Sequence, residues 1–438
     1  MKKKYVRWTL WTIASPFILF IILCILIYLP PIQNFLVDKA AVYASEATGM
    51  NISVGRISLS FPLNLVVTNV DAASPHNDTL LSVRRLQVNV QLLPLLKKQV
   101  EVDGISLQGA TVNSNDLIHG MKLNGTLGEL FISSHGVALD PETAIVNKVL
   151  LKDTDLSLCL NDTAAVDTAA SDTTYWKIIL QDIDLQNVSF ALDMPLDSLS
   201  LAASLDNAIL RDGLIDLHKS AYSLQTFRIK NGRVRYDSGK PLAADSLPSG
   251  LDPSHIALTD IGVKLDSLYY EGRNMKAIIS QFVLKERSGV EIVSATGRMV
   301  SNDKVLRVPS LKLETRDSYL ELNAAMDWNA LDFKGEGLVS ARLMADIGKP
   351  DVVRFMGRMD EKFVRQYPSE PLRIRTGIDG DLNKLKLTTL TAELPGALGL
   401  FARGELTHLT DSLLRGGDIT LEAETKDLKF VSTLAEGI

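Results

Sequence analysis

Beyond residue 50 the apolar residues of this sequence recur at every second position, and that period dictates strands. The clearest run, Leu86-Gln-Val88-Asn-Val90-Gln-Leu92, alternates without error over seven residues. Leu63, Leu65 and Val67 alternate as well, as do Ile105 with Leu107, Ile183 with Leu185, Leu311 with Leu313 and Leu385 with Leu387. Ile229, Val234 and Tyr236 continue the pattern, and Leu398, Leu400 and Ala402 resume it after Pro395-Gly396. Strands of this kind keep one face dry and one face wet. The chain is therefore expected to be mainly β, and its 438 residues exceed a single ordinary core.

A weak internal repeat underlies the alternation. Val67-Thr-Asn-Val-Asp-Ala72, Leu107-Gln-Gly-Ala-Thr-Val112, Leu151-Lys-Asp-Thr-Asp-Leu156, Leu185-Gln-Asn-Val-Ser-Phe190 and Ile229-Lys-Asn-Gly-Arg-Val234 share one form. They are spaced by 40, 44, 34 and 44 residues. Each reads as a strand end, a turn at Asn, Asp or Gly, and a new strand, so that the chain becomes a stack of β-hairpins. About 10–12 residues per strand and turn would give on the order of 30 strands. Residues 161–174 and 237–255 lack apolar periodicity and are rich in turn formers, which marks them as loops.

Ahead of the strands, Trp8 to Leu29 contains no charged residue over about 22 positions. As a helix this is roughly 33 Å, against a hydrocarbon core of roughly 30 Å. Lys2, Lys3, Lys4 and Arg7 precede it, which places the N-terminus in the cytoplasm. Trp8, Trp11, Phe17, Phe20, Tyr28 and Leu29 are the candidate anchor residues. A cleaved signal peptide would have an apolar region of only about 7–15 residues. Its best cleavage site, Val42-Tyr43-Ala44, lies far downstream, so a single uncleaved transmembrane helix is preferred.

Phe35, Leu36, Ala40, Tyr43 and Ala47 then form one face of an amphipathic helix ending at Gly49. A second amphipathic helix is expected from Asp351 to Tyr367, with Val352, Phe355, Met356, Met359 and Phe363 as its stripe and Pro350 and Pro368 at its ends. The chain thus divides into a basic tail and anchor (1–31), an amphipathic helix (32–49), a β region (50–348), a helix (350–368) and a further β region (369–438). Ile419 to Ala423 and Leu428 to Phe430 read as more strand pattern without a polar cap, so the β region is expected to continue past Ile438.

Chemistry is hard to find in this sequence. The six histidines are scattered singly, and none sits at ligand spacing from another His or a Cys. There is no phosphate loop, no nucleophile elbow and no paired-carboxylate motif. Asp153, Asp155, Asp182 and Asp184 sit at supposed turns or between apolar strand positions, as solvated residues do. The chain is accordingly read as a non-enzyme without metal or cofactor. A net charge of -6 gives no basic face for nucleic acid. With Cys24 inside the apolar stretch, Cys159 has no partner outside it, so disulfides do not hold the fold.

The dry face needs a partner. A sandwich or a barrel would supply one, and so would an elongated antiparallel sheet that curls into an open β-groove. The sparse aromatics, 6% of residues, favour the open groove, because aliphatic residues line a trough rather than fill a core. Exposing an acyl chain to water costs about 0.8 kcal/mol per CH₂, so an aqueous crossing costs roughly 10 kcal/mol or more. A continuous apolar groove removes that barrier. Its candidate lining is Leu65, Val67, Leu86, Val88, Val90, Leu92, Ile105, Leu107, Leu185, Phe190, Ile229, Val234 and Tyr236.

The N-terminal order also carries a family resemblance. Ala47-Thr48-Gly49, Ile52-Ser-Val54-Gly55-Arg56-Ile57, Phe61-Pro62-Leu63, Thr68-Asn69-Val70 and Asp78-Thr79-Leu80-Leu81 follow the anchor in sequence. With Gly380-Asp381-Leu382 and Gly404-Glu405-Leu406 farther on, the chain resembles the AsmA-like envelope proteins, and most of all their TamB branch. The resemblance implies an inner-membrane protein whose bulk lies in the periplasm of a Gram-negative-type bacterium. It implies either phospholipid transport between the two membranes or support of outer-membrane protein assembly with an outer-membrane β-barrel partner. A structural tether without lipid is the remaining alternative.

Overall fold

The alternating segments are strands, paired antiparallel with neighbours in the chain. The computed structural model describes residues 39, 41–43, 45–46, 48–60, 64–74, 78–91, 102–114, 120–138, 142–161, 175–239, 250–332, 337–356 and 361–436. They belong to two compact units, Met1–Thr168 and Ala169–Ile438. The first holds β1 (Asn51–Ser60), β2 (Asn64–Ala73), β3 (Thr79–Val90), β4 (Val102–Asn113), β5 (Met121–Ala138) and β6 (Thr143–Leu160). Each of these pairs with the next.

The second unit opens with β7 (Lys177–Met194), β8 (Leu199–Asp216), β9 (Ala221–Leu224), β10 (Thr226–Ser238) and β11 (His255–Glu271). Short β9 bridges the ends of β8 and β11, while β10 pairs along both. There follow β12 (Asn274–Glu286), β13 (Glu291–Ser301), β14 (Val305–Thr315), β15 (Tyr319–Asp327) and β16 (Leu338–Ile347). The last are β17 (Leu372–Asp381), β18 (Lys384–Leu394), β19 (Leu398–Thr407) and β20 (Gly416–Thr425). Most of the two expected loops, 162–174 and 240–249, lies outside the described residues, and of 237–255 the residues Asp237, Ser238 and His255 belong to β10 and β11. The helices are few: α1 (Trp328–Leu331), α2 (Lys349–Met356), α3 (Glu361–Gln366) and α4 (Leu428–Glu436). The protein is mainly β.

The strands are fewer and longer than expected. The described residues form 20 strands, not about 30, and β5 to β8 each run for 18 residues. The repeated phrases are the reason. Asn69, Gly109, Asp153, Asn187 and Asn231 are left-handed, with φ of 53, 61, 49, 51 and 52°. Yet each lies inside a strand, not in a turn between two. Asp212 and Asp260 repeat the arrangement in β8 and β11, at φ of 51 and 53°. The residue types that make turns here make kinks within continuous ladders.

A second correction concerns Leu428 to Phe430, which begin α4 instead of another strand. Asp427 caps it, its Oδ1 accepting from the backbone N–H groups of Lys429 and Phe430 at 3.0 and 3.1 Å. The helix expected over 350–368 is found as α2 and α3, on either side of residues 357–360, which lie outside the described residues. The proposed anchor, Trp8 to Leu29, also lies outside them. Among the described residues no helix is long and apolar enough to cross a membrane. The described residues from 39 to 48 are helical, and Gly49 caps them at φ 70° by donating to the Ser45 carbonyl at 2.9 Å.

A concentrated core forms where α2, α3 and α4 meet the β18–β19 hairpin. Phe363, Tyr367, Leu394, Ala397 and Phe430 are buried together, with Val352, Leu372, Leu398 and Val431 packed around them. The Phe363 and Phe430 rings stack at 5.6 Å, and Tyr367 meets Phe430 edge-on at 5.8 Å. Asp351, 1% exposed, ties α2 to the β14–β15 turn. Its carboxylate accepts from Thr315, from Ser318 Oγ at 2.6 Å and from Arg354 Nη1 at 3.0 Å.

Phe430→Ala removes the centre of this cluster and should cost about 3–5 kcal/mol locally. Hydrogen exchange should then quicken in α3 and α4 and stay unchanged in β1 to β6; uniform exchange would refute the assignment. Burial also pushes the Tyr367 phenol above the ordinary tyrosine range. Its stabilising effect is complete below that range and is lost as pH rises through the raised pKa, so alkaline titration should loosen α3 and α4 together with Tyr367 ionisation.

Candidate functional site

Residues directly opposite in an antiparallel ladder share a face. In the first unit the registers assemble four transverse rows. Leu59, Leu65, Val88, Ile105, Ile132 and Val149 form the first, and Ile57, Val67, Leu86, Leu107, Leu130 and Leu151 the second. Val54, Val70, Val83, Ala110, Leu127 and Thr154 form the third, followed by Ile52, Ala72, Leu81, Val112, Gly125 and Leu156.

Between the second and third rows the registers leave one residue per strand unbridged: Gly55, Asn69, Arg84, Gly109, Gly128 and Asp153. Strict alternation would put Val67 and Val70 on opposite faces. The exposure pattern shows what happens instead. Gly55-Arg56, Arg84-Arg85 and Lys152-Asp153 are consecutive exposed residues, and each pair is flanked by inward residues such as Val54 and Ile57 or Val83 and Leu86. One additional residue per strand turns to water, and the alternation resumes with its apolar side chains on the original face.

The other face is polar where it adjoins this row. Arg56, Thr68, Arg85, Gln108, Glu129 and Lys152 lie opposite one another across all six strands. Similar pairing occurs in the second unit, where Asn231 donates to Asp206, and Asn207 donates to Asp184 Oδ1 at 3.1 Å. Lys285 Nζ donates to Asp260 Oδ2 at 2.7 Å, which holds the lysine pKa above its ordinary value.

In the second unit one row runs Leu185, Ala208, Ile229, Val263, Phe282, Ala295, Leu313, Leu320, Ala345, Ile374, Ala392, Leu400, Ala423. It crosses from β7 to β20, passing β9 by, without one polar side chain. Farther along the strands, beyond the row Val188, Leu205 and Gly232, Val234 faces Ala203, which faces Phe190, and Tyr236 faces Leu201. Most of these residues are half-buried; Ile105 and Phe190 are 37 and 38% exposed. The substantial packing of each strand is with its ladder neighbours. Over part of the second unit's apolar face α2, α3 and α4 sit on Leu372, Leu394 and Leu398.

The structure thus places Leu65, Val88 and Ile105 in one row and Val67, Leu86 and Leu107 in the next. Leu185 shares a row with Ile229; Phe190 and Val234 share another, separated from it by the row Val188, Leu205 and Gly232, and Tyr236 lies in the next one beyond. Val90 faces Val102 beyond a register shift, and Leu92 lies outside the described residues. Sequence reasoning missed Val70, Val83, Ala110 and Leu127, although the phrases Val67–Ala72 and Leu107–Val112 carry the signal for Val70 and Ala110. Among the described residues no group of His, Cys, Asp or Glu is placed to hold a metal ion. No family model matches the sequence, and comparison with curated proteins gives no match.

Ala295, 8% exposed between Phe282 and Leu313, tests which face is dry. Ala295→Glu should cost a few kcal/mol in urea denaturation. Thr296→Glu, one residue along and opposite Lys312, should stay within about 0.5 kcal/mol of the parent. Equal losses would sink the assignment.

Proposed function

We propose that the chain is anchored in the inner membrane of a Gram-negative-type bacterium and carries phospholipid acyl chains along its apolar face toward the outer membrane. The observation behind this reading is the unbroken apolar row from Leu185 to Ala423, together with the four largely apolar rows of the first unit, most of whose residues are half-buried. An aliphatic face of this length would be a liability in water without an occupant. A hydrocarbon chain satisfies it without specific polar contacts. The uncharged stretch Trp8 to Leu29 supports the anchor, and the resemblance to the TamB branch of AsmA-like proteins supports the compartment and the cargo.

The test is phospholipid transfer from donor vesicles holding the full chain to acceptor vesicles. Val88 lies within the first row, whereas Gln87 and Asn89 lie off it and hydrogen-bond to each other at 3.2 Å. Val88→Glu should slow transfer at least tenfold, which about 1.4 kcal/mol of added barrier suffices to do. Gln87→Glu and Asn89→Asp should leave it near the parent rate. Equal rates for all three would refute a conduit on this face.

A second reading, a scaffold for outer-membrane protein assembly, draws on β20. All ten of its residues are exposed, and Ile419 and Leu421 are 45 and 61% exposed. Such a strand suits pairing with a strand of another protein. If this role dominates, Val88→Glu leaves outer-membrane protein levels unchanged, while a proline at Leu421 lowers them.

A further inference from the structure

We propose that the wet face of the second unit holds a binding site for a phosphoryl group, formed by Arg228, Lys230 and Lys264. The site does not depend on the conduit reading. Arg228 and Lys230 flank Ile229, and Lys264 follows Val263, so alternation turns all three away from the apolar row, and all three are exposed. Directly opposite residues in an antiparallel ladder have Cβ atoms about 5 Å apart, where like charges repel. Elsewhere this face sets opposite charges against each other, as at Asp182 with Arg211 and Lys312 with Glu321. Arg228, however, stands directly opposite Lys264. Lys230, two residues along β10, adds a third cation about 6.6 Å away along the strand.

Among the described residues none of the three has a hydrogen bond or an ion pair. The carboxylates nearby are engaged by other donors. Asp260 accepts from Lys285, Asp206 from Asn231 and Asp266 from Ser280. Asp184, in the same transverse row as Arg228, accepts from Gln186 at 3.0 Å and from Asn207. The three cations line an open cavity of about 560 Å³, together with Asn207, Asn231 and Gln281. Gly262 lines it too; a Cβ there would meet Val283 Cγ2 at 2.8 Å, so the wall stays bare backbone at that point. Asp260 is the carboxylate on this wall, and Lys285 neutralises it.

The ligand class follows from the count of charges and donors. A phosphate monoester carries a charge of about −1.5 to −2 at neutral pH and three acceptor oxygens. It can take the Arg228 fork on two oxygens and still reach the Lys230 and Lys264 ammonium groups. A carboxylate has one charge and two oxygens, which leaves a cation unmet. Asn207 and Asn231 give their N–H groups to Asp184 and Asp206, leaving their carbonyl oxygens to accept from hydroxyl groups on the remainder of the ester. A water-borne ester and a lipid headgroup both offer this chemistry.

Acylation of lysines by an N-hydroxysuccinimide ester, read by mass spectrometry on the full chain with phosphatidylcholine vesicles present, tests the site. Glycerol 3-phosphate should slow modification of Lys230 and Lys264 about tenfold at about ten times its half-saturating concentration, and leave Lys276 and Lys312 unchanged. Acetate at the same ionic strength should protect neither. In a second arm, phosphatidic acid replaces part of the phosphatidylcholine. Protection by glycerol 3-phosphate supports a site for water-borne esters, and protection by phosphatidic acid alone supports a headgroup site. No protection in either arm, equal protection by acetate, or equal slowing at Lys276 would overturn the proposal. Lys264→Glu sets an opposite charge against Arg228, so that chain should fold with a urea midpoint no lower than the parent's, while Lys230 loses its protection. Lys264→Gln, which removes one charge and adds none, should weaken protection in the same direction. Tenfold protection of Lys230 persisting in both variants would show that Lys264 holds no phosphoryl group.

Discussion

The antiparallel ladder between chain neighbours is the interaction on which the rest of this protein depends. Each strand's closest packing is with its ladder neighbours, so backbone hydrogen bonding and cross-strand side-chain contacts supply much of its order. That places a strict demand on register. A slip of one residue would move Leu65, Val88 and Ile105 to the wet face and bring Gln87 and Ser106 to the dry one. Long strands help, because each additional pair raises the cost of a slip. β5 and β6 remain paired from Met121 and Leu160 to Ala138 and Thr143, through two register irregularities.

The strands were legible because period two survives any particular way of covering the dry face. The kinks were not, and the reason is physical. Asn, Asp and Gly enter the left-handed region at low cost wherever the chain requires it, at a hairpin tip or within a strand. A local reading of Val67-Thr-Asn-Val-Asp-Ala72 cannot separate the two uses, since both interrupt alternation by one residue. The distinguishing information lies in the partners. Asn69 stands opposite Gly55 on one side and Arg84 on the other, and the ladders resume unshifted beyond it. A turn would have ended both ladders there.

The helices show the reverse case. Leu428, Phe430 and Val431 give too few positions to separate period two from period three and a half, and α4 is decided by Asp427 as a cap and by the aromatic cluster that receives Phe430. Propensity was weak and tertiary packing decided the outcome. The candidate site was half legible for a related reason. Alternation leads to Val67 and Leu107, whereas Val70 and Ala110, beyond the left-handed Asn69 and Gly109, lie in the opposite phase.

Because each ladder joins strands that are close in sequence, the dry face has no fixed size. A closed barrel accepts only one number of strands for a given tilt and stagger. Here a hairpin such as β14–β15 could be duplicated, and strand direction on both sides would be preserved. Each such step would lengthen the face by about 9.6 Å, two strand spacings. A single added strand would reverse the direction of everything after it. The architecture is thus adjustable in length by pairs of strands, and gene duplication could extend or shorten it without redesigning a core.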